Sequence, residues 1–231
     1  MNKLGHEVLA AVLQVRSRSP GQLSLEVLLW QRAREPQVGR WSLPGGQLQA
    51  DEDIERSVRR QLAEKVDVRQ LSHVEQLATF SAPDRVPGPR VIATAFLGLV
   101  ASDNDPELPD DTQWHRVDAL PRTAFDHEAI ILRARDRLRS KLSYTNLGFA
   151  LAPPTFTISE LRELYSAALG HRVSATNLQR VLSRRGQLTT TGETASPGPT
   201  GGRPAALFRF TCRDIRVTDP VAVLRPPSGR R

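Results

Sequence analysis

The sequence has few of the features that crosslink a protein or anchor it in a membrane. Cys212 is the only cysteine among 231 residues, which excludes an internal disulfide framework and a zinc site built from cysteines. No run of about 18 apolar residues occurs, so we expect no membrane-spanning helix. The N-terminal apolar run alternates and ends in Arg-Ser-Arg, which is typical of a strand rather than a signal peptide. We therefore expect a globular protein of the cytoplasm.

Lysine is also scarce, and the C-terminal third of the chain has none. Residues 154–231 contain 12 arginines and five acidic residues, a net charge of +7. The whole chain also has a formal net charge of +7, so residues 1–153 are neutral overall. This asymmetry suggests a polyanionic partner for the C-terminal third alone. Arg225, Arg230 and Arg231 on their own would indicate only a basic tail.

The first 150 residues contain strands and helices in an order that does not suit a doubly wound sheet. Apolar runs predict strands at 6–15, 23–30, 71–80, 91–100 and 114–117, and the longest run, 91–100, is the best candidate for a central strand. Two helices are predicted. Asp51 is the expected N-cap of the first helix, and Asp126 is the expected N-cap of the second. This order predicts a mixed sheet with helices on both faces, an α/β/α sandwich.

The remaining residues, 151–231, predict a second domain that follows a Pro-Pro segment. Ser159 and Ser174 are expected N-caps of two helices, and Gly170 ends the first of them. Two strands around a Gly/Pro/Arg loop follow, so the pattern is that of a winged helix-turn-helix. The expected DNA-binding residues are Thr176, Asn177, Gln179, Arg180, Arg184 and Arg185 on the second helix, and Arg203 in the loop. The alternative is a helical hairpin that binds another protein. In that case, any binding of nucleic acid should depend little on the salt concentration.

The stretch 41–68, WSLPGGQLQADEDIERSVRRQLAEKVDV, combines a Gly-Gly turn with a helix. Ile54, Val58 and Leu62 recur every four residues and predict one apolar stripe. A glycine-rich loop that enters a helix lets the backbone approach a phosphate closely. The alternative is a surface helix after an ordinary turn.

This stretch resembles the Nudix box, Gly-x5-Glu-x7-Arg-Glu-U-x-Glu-Glu-x-Gly-U, where U is a bulky aliphatic residue. Counted from Gly46, the matching residues are Glu52, Arg60, Leu62, Glu64 and Val68. Gln61 and Lys65 stand where Nudix hydrolases have metal-binding glutamates, and Asp67 stands where they have glycine. The resemblance implies a binding scaffold with no catalytic residues and no required metal, in which Glu64 would bind a divalent cation weakly at most.

A degenerate Nudix box followed by a winged helix is similar to the NrtR family, the Nudix-related transcriptional regulators of NAD metabolism. The segments PDRVPGPRVIATAFLGLV, FDHEAIILRARDRLRSKL and GRPAALFRF extend the likeness beyond the box. Val86 departs from the family, whose loop usually has Asp there, and the recognition helix has fewer basic residues than usual.

The resemblance implies a function as well as a fold. It implies a bacterial, nucleoid-associated repressor of NAD biosynthesis or salvage genes, which binds a palindromic operator as a homodimer. ADP-ribose would be the effector and would weaken DNA binding, and no cofactor would be required. An active ADP-ribose pyrophosphatase with an appended interaction domain is the alternative, because Glu52 and Glu64 remain.

Candidate ligand-binding residues lie around the box and in the Arg-rich loop 83–90. Arg40, Arg85 and Arg90 are candidates for the pyrophosphate, since a guanidinium suits phosphate oxygens, but each could be a solvated surface arginine. Trp41 and Phe80 could stack on adenine, or either could belong to the core. The full candidate set is Arg40, Trp41, Gly45, Gly46, Glu64, Phe80, Arg85 and Arg90.

Overall fold

A computed structural model of the chain describes residues 4–19, 21–195 and 204–219. Contacts divide it into two units, Met1–Arg137 and Leu138–Arg231. This division falls inside a long helix, and the domain boundary near residue 150 stays a prediction. In the described ranges, no helix is long and apolar enough to cross a membrane.

The first unit contains a seven-stranded mixed sheet. Its strands are β1 (Gly5–Ser19), β2 (Gln22–Gln31), β3 (Trp41–Ser42), β4 (Gly45–Gln47), β5 (His73–Phe80), β6 (Val91–Leu99) and β7 (Thr112–Arg116). The order is β3-β2-β1-β6-β5, with β4 paired to β1 and β7 paired to β2. Strands β1 and β6 are parallel, whereas the other pairs are antiparallel. The longest apolar runs became β1 and β6 because these inner strands are buried on both faces.

Helix α1, Ile54–Val66, begins two residues later than the sequence suggested. Its N-cap is Asp53, whose carboxylate accepts a hydrogen bond from the Arg56 backbone N–H at 2.8 Å. The prediction of Asp51 as the cap was wrong, because two residues of equally good capping type lie close together and the side-chain contact decided between them.

The apolar stripe of α1 packs on the sheet as its spacing predicted. Val58 and Leu62 are each 1% exposed. They join a buried cluster that includes Val8, Phe96 and Trp114, and Ile54 packs against its edge. Burial of this stripe therefore holds α1 beside β1 and β4.

Helix α2, His127–Tyr144, also follows its predicted pattern. Its inward residues Ile131, Ala134, Leu138 and Leu142 are all buried. The ring of His127 is buried as well, and its Nδ1 accepts a hydrogen bond from the Leu43 backbone N–H at 3.0 Å. This bond ties the segment between β3 and β4 to the start of α2.

The second unit has the element order of a winged helix. After a short 3-10 helix, Leu147–Ala150, come α3 (Ile158–Leu169), α4 (Ala175–Arg184), β8 (Leu188–Thr194) and β9 (Ala206–Phe210). Strands β8 and β9 form an antiparallel hairpin, which is the predicted wing.

Thr157, not the predicted Ser159, is the N-cap of α3. Thr157 Oγ1 accepts from the Glu160 N–H at 3.2 Å, and Glu160 Oε2 accepts from the Thr157 N–H at 2.7 Å, which is a reciprocal capping box. The Thr-x-x-Glu pattern was the sequence signal for it. The predicted cap Ser174 of α4 is confirmed, as is Gly170, which ends α3 with φ 77°.

Gly148 leaves no space for a side chain beside Tyr165. A Cβ at residue 148 would lie 2.1 Å from the Tyr165 hydroxyl oxygen and 2.7 Å from its Cζ. We expect Gly148→Ala to lower the free energy of unfolding by about 1–3 kcal/mol, because the Tyr165 ring is buried and must move. Urea denaturation followed by circular dichroism measures the loss.

Tyr165→Phe provides the matched test of that contact. The Tyr165 hydroxyl is buried without a hydrogen-bond partner among the described residues, so its removal alone should change stability by no more than roughly 0.5 kcal/mol. In the double variant the nearest clash is absent, and the two losses should not add. Strict additivity would show that residue 148 does not press on the Tyr165 hydroxyl.

Burial of His127 should make the free energy of unfolding depend on pH. Burial lowers its pKa to about 3, below the value of about 6.5 expected in the unfolded chain. The unfolded state therefore binds the additional proton between these values, and the free energy of unfolding falls as pH drops below about 6.5. From about pH 7 to about pH 5, the wild type should lose roughly 2 kcal/mol more than His127→Gln. Parallel pH profiles in urea denaturation would contradict this assignment.

Candidate ligand cleft and nucleic-acid interface

A cleft of about 600 Å³ opens beside Gly45 and Gly46 of strand β4 in the first unit. This volume is within the range of small-ligand pockets. Its walls combine aromatic side chains, basic side chains and glycine backbone. The lining residues are Glu7, Leu9, Trp30, Arg32, Ala33, Arg34, Glu35, Ser42, Leu43, Gly45, Gly46, Gln47, Lys65, Phe125 and His127.

Close packing requires both glycines of β4. The prediction of a Gly-Gly turn was wrong, because both glycines pair with β1 as part of a strand. A Cβ on Gly45 would lie 2.2 Å from the backbone oxygen of Val8, and a Cβ on Gly46 would lie 2.8 Å from the Gln61 amide. The Gly45 backbone therefore presses against β1 while Gly46 touches α1. Both glycines line the cleft.

Gln61 and Lys65 both reach from α1 to the Gly45 backbone of β4. With the Gln61 amide oriented to suit its neighbours, its nitrogen donates to the Gly45 carbonyl oxygen at 3.3 Å and its oxygen accepts from Arg60. The Lys65 ammonium donates to the same carbonyl and lies 5.1 Å from the centroid of the Trp30 ring. Burial lowers the pKa of Lys65. Hydrogen bonds within the protein thus engage the side chains at the two box positions where Nudix hydrolases have metal-binding glutamates.

Arg60 holds the two remaining box carboxylates. Its Nε and Nη2 donate to Glu52 at 2.9 and 2.6 Å, and its Nη1 donates to Glu64 at 3.1 Å. The hydrogen bonds from Arg60 lower the pKa of Glu52 to about 2. Arg60 thus engages both carboxylates, and no group of three or more His, Cys, Asp or Glu side chains that could hold a metal ion occurs among the described residues.

Arg85, a pyrophosphate candidate, is buried in a network of carboxylates. Its Nε and Nη2 pair with Asp126 at 2.9 and 2.7 Å, and its Nη1 pairs with Glu7 at 2.5 Å. The network anchors the Arg-rich loop to β1 and to the start of α2. Arg85 therefore has its donors engaged within the protein, and it does not line the cleft.

The other candidates are divided between the cleft and the surrounding surface. Gly45 and Gly46 line the cleft, whereas the remaining five lie outside its lining: Arg40, Trp41, Glu64, Phe80 and Arg90. The Trp41 ring packs edge-on against His115, and Arg133 lies 5.8 Å from the Phe80 ring. Arg90 is exposed and donates to the Ser81 carbonyl at 3.4 Å.

Sequence reasoning overlooked four of the side chains that do line the cleft. They are Trp30, Arg32, Arg34 and Phe125. Arg32 lies over the Phe125 ring, 4.9 Å from its centroid. The available signal was the Arg-x-Arg pair directly after a buried strand, in the loop that leads to the box.

A second cavity, of about 930 Å³, lies on the other side of β4. Residues from the Arg-rich loop, Pro87 and Pro89, line it together with His6, Gln49 and Glu52. Gln47 of β4 lines both cavities.

Helix α4 presents a polar face in the second unit. Leu178 and Leu182 are buried, while the exposed residues include the candidates Thr176, Asn177, Gln179, Arg180 and Arg184. Arg180 donates to Asn177 Oδ1 at 2.8 Å, which preorders two neighbouring side chains. The arrangement is suited to hydrogen bonds with phosphates and base edges.

Arg185 is placed differently from its neighbours. It pairs with Asp219 and donates to the Ser143 carbonyl at 2.8 Å. Internal contacts therefore engage its guanidinium. Arg203 lies outside the described residues, and the exposed Arg209 on β9 is a basic wing residue that the sequence reasoning did not select.

Two family models match the chain. A NUDIX domain matches residues 7–134, and an NrtR DNA-binding winged helix domain matches residues 148–210. A curated relative from Acinetobacter baylyi, an ADPR responsive transcriptional repressor, is 30% identical over 87% of this chain and 82% of its own length. An ADP-ribose pyrophosphatase from Methanocaldococcus jannaschii is 32% identical over 50% of this chain and 68% of its own length.

The chain is also similar to solved structures of NrtR from Shewanella oneidensis. The complex of that protein with a 27mer DNA has a TM-score of 0.72 at 30% identity, over 89% of this chain and 93% of the other. The complex of its NUDIX domain with ADP ribose has a TM-score of 0.51 at 30% identity, over 60% and 90% of the two chains. The predicted fold, a Nudix-like mixed sheet followed by a winged helix, is therefore confirmed, and the chain belongs to the NrtR family.

Proposed function

We propose that this protein is a DNA-binding transcriptional repressor that responds to ADP-ribose. The observation that carries the proposal is the exposed polar and basic face of α4 within a winged helix of the NrtR type. The repressor from Acinetobacter baylyi and the DNA and ADP ribose complexes of the Shewanella oneidensis protein support the same two roles here. The regulated genes are those of NAD biosynthesis or salvage.

Operator binding is assigned to α4 and the wing. Arg180 and Arg184 supply charge for phosphates or guanine edges, while Asn177 and Gln179 supply amides that suit adenine. The protein acts as a homodimer on a palindromic operator, since two recognition helices would then contact half-sites about one helical turn apart. It acts in the bacterial cytoplasm, at the nucleoid.

Effector binding is assigned to the 600 Å³ cleft. ADP-ribose combines a flat adenine with a negatively charged pyrophosphate. The cleft offers the Trp30 and Phe125 rings for stacking and Arg32, Arg34 and Lys65 for the negative charge. ADP-ribose weakens operator binding because it favours the dimer state with lower affinity for DNA.

The protein has no hydrolase activity in this proposal. Gln61 and Lys65 stand where the Nudix box has metal-binding glutamates. Arg60 engages the two remaining box carboxylates, Glu52 and Glu64. The similarity to the Methanocaldococcus jannaschii pyrophosphatase favours an active enzyme as the second candidate. Incubation with ADP-ribose and Mg²⁺ or Mn²⁺ separates the candidates, since AMP release at about 1 per second or faster would favour the enzyme.

The first prediction from this function concerns DNA affinity. Arg180→Ala and Arg184→Ala should each raise the Kd for DNA from upstream of neighbouring NAD genes by roughly tenfold, because each removes a charged contact. If the contact is to phosphate, the slope of log K against log salt should also fall by about one. Gel shift or fluorescence anisotropy at several salt concentrations measures both effects.

Arg116→Ala is the matched control. Arg116 is exposed on β7 of the first unit, so its removal changes the net charge equally but should leave the Kd within about twofold. Equal losses in all three variants would point to a general charge effect. No binding of the unmodified protein to any upstream DNA would reject the repressor, and binding that ignores ADP-ribose would reject the sensor.

A second prediction concerns the box positions. The double variant Gln61→Glu/Lys65→Glu should gain affinity for Mg²⁺ or Mn²⁺, because it adds two carboxylates beside Glu64 and removes the ammonium that repels a cation. Mn²⁺ binding is measured by electron paramagnetic resonance. Gln61→Glu alone is the control, since Lys65 would still oppose the ion. No gain in the double variant would count against the interpretation of a lost metal site.

A further inference from the structure

The Lys65 side chain connects helix α1 to the Gly45 backbone inside the cleft. Its ammonium donates a hydrogen bond to the Gly45 carbonyl oxygen and lies over the Trp30 ring. Both contacts are attractive for a cation. They hold the charge at the cleft wall, whereas most lysine side chains extend their ammonium into water.

An ordinary explanation for Lys65 is its place in the last turn of α1, where a cation interacts favourably with the helix dipole. The dipole does not explain why the ammonium reaches a carbonyl that lies 20 residues earlier in the chain. Burial and the nearby charge of Arg32 both lower the pKa of Lys65. Desolvation and repulsion by Arg32 thus carry a cost for the charged form of Lys65, and an anion bound in the cleft would offset that cost.

The ammonium of Lys65 has capacity for such an anion. It carries three N–H donors, and the Gly45 carbonyl accepts from one of them. No carboxylate in the described ranges forms an ion pair with Lys65. Arg32 lines the same cleft, so a second cation is available for the same ligand.

A divalent cation does not fit beside this ammonium. Gln61 supplies a neutral amide, and Arg60 already engages the carboxylates of Glu52 and Glu64. A metal ion would also be repelled by the fixed charge of Lys65. Helix α1 therefore carries a covalently attached positive charge, the Lys65 ammonium, where the Nudix box has ligands for a metal ion.

We propose that the Lys65 ammonium binds the pyrophosphate of the ligand in place of a metal ion, so that the protein binds ADP-ribose without a divalent cation. The proposal rests on the proposed function, because it takes ADP-ribose as the effector. A lysine ammonium is a compact charge that pairs well with phosphate oxygens. Because this cation is covalently attached, the response of the repressor does not depend on the concentration of free Mg²⁺.

Isothermal titration calorimetry with ADP-ribose tests the proposal on the full-length chain, in EDTA and in millimolar Mg²⁺. The unmodified protein should show the same Kd in both buffers, within about twofold. Lys65→Met keeps the length and apolar character of the side chain but removes its charge, so the Kd should rise roughly 10- to 100-fold in both buffers. Lys65→Arg should retain more affinity than Lys65→Met, since it retains the charge.

Arg59→Met is the matched control. Arg59 is exposed on the same helix and does not line the cleft, so this variant loses the same charge and should bind like the unmodified protein. A Kd that falls at least about tenfold on addition of Mg²⁺ to the unmodified protein would overturn the proposal, even if Lys65→Met failed to fold. Equal affinities of Lys65→Met and the unmodified protein would also overturn it.

The failure of the proposed function has a different signature. If the unmodified protein binds no ADP-ribose in either buffer, the effector assignment and the role of Lys65 both fall. If it binds ADP-ribose and is released from DNA, but needs Mg²⁺ or ignores the Lys65 substitution, the function stands and only this inference falls. Operator release, followed by fluorescence anisotropy in EDTA, provides the independent readout.

Discussion

The Gly45–Gly46 segment lies between strand β1 and helix α1 with no space for a side chain on either residue. A Cβ would meet the Val8 backbone on one side and the Gln61 amide on the other, both at less than 3 Å. This close approach leaves the Gly45 carbonyl within reach of α1, where Lys65 donates to it. The shape of the cleft depends on that packing, because the glycine backbone is one of its walls. The apolar stripe of α1 maintains the distance by its burial against the sheet.

Two arginines pair with four carboxylates near the cleft. Arg60 bridges two box glutamates, and Arg85 bridges one carboxylate from β1 and one that precedes α2. Pairing of this kind offsets the desolvation cost of the more buried acids, such as Glu52. It also leaves the charges of Arg32 and Lys65 without a carboxylate partner among the described residues. The cleft is therefore better suited to an anionic ligand than to a cation.

Local patterns in the sequence predicted the elements well, because each element depends mainly on its own periodicity. The runs that became β1 and β6, and the inward face of α2, lie close to their predicted places. Helix starts were displaced by two residues where neighbouring side chains of capping type competed, as at Asp53 and Thr157. Site residues were harder, because their roles depend on distant partners. Arg85 pairs with residues 78 and 41 positions away, and no local pattern indicates that its donors are engaged.

The proposed loss of the metal site follows from what a sensor requires. An enzyme gains rate from interactions that are stronger in the transition state than with the bound substrate, whereas uniform binding gives affinity without turnover. A fixed ammonium on a pyrophosphate oxygen contributes affinity to the intact ligand, but it does not activate a water molecule as a metal ion can. Hydrolysis of the effector would also erase the signal that the protein reports. Replacement of a metal-binding glutamate by Lys65 would thus retain the binding of a phosphate ligand and abolish its hydrolysis. Both properties suit a repressor whose DNA affinity must follow the concentration of its effector.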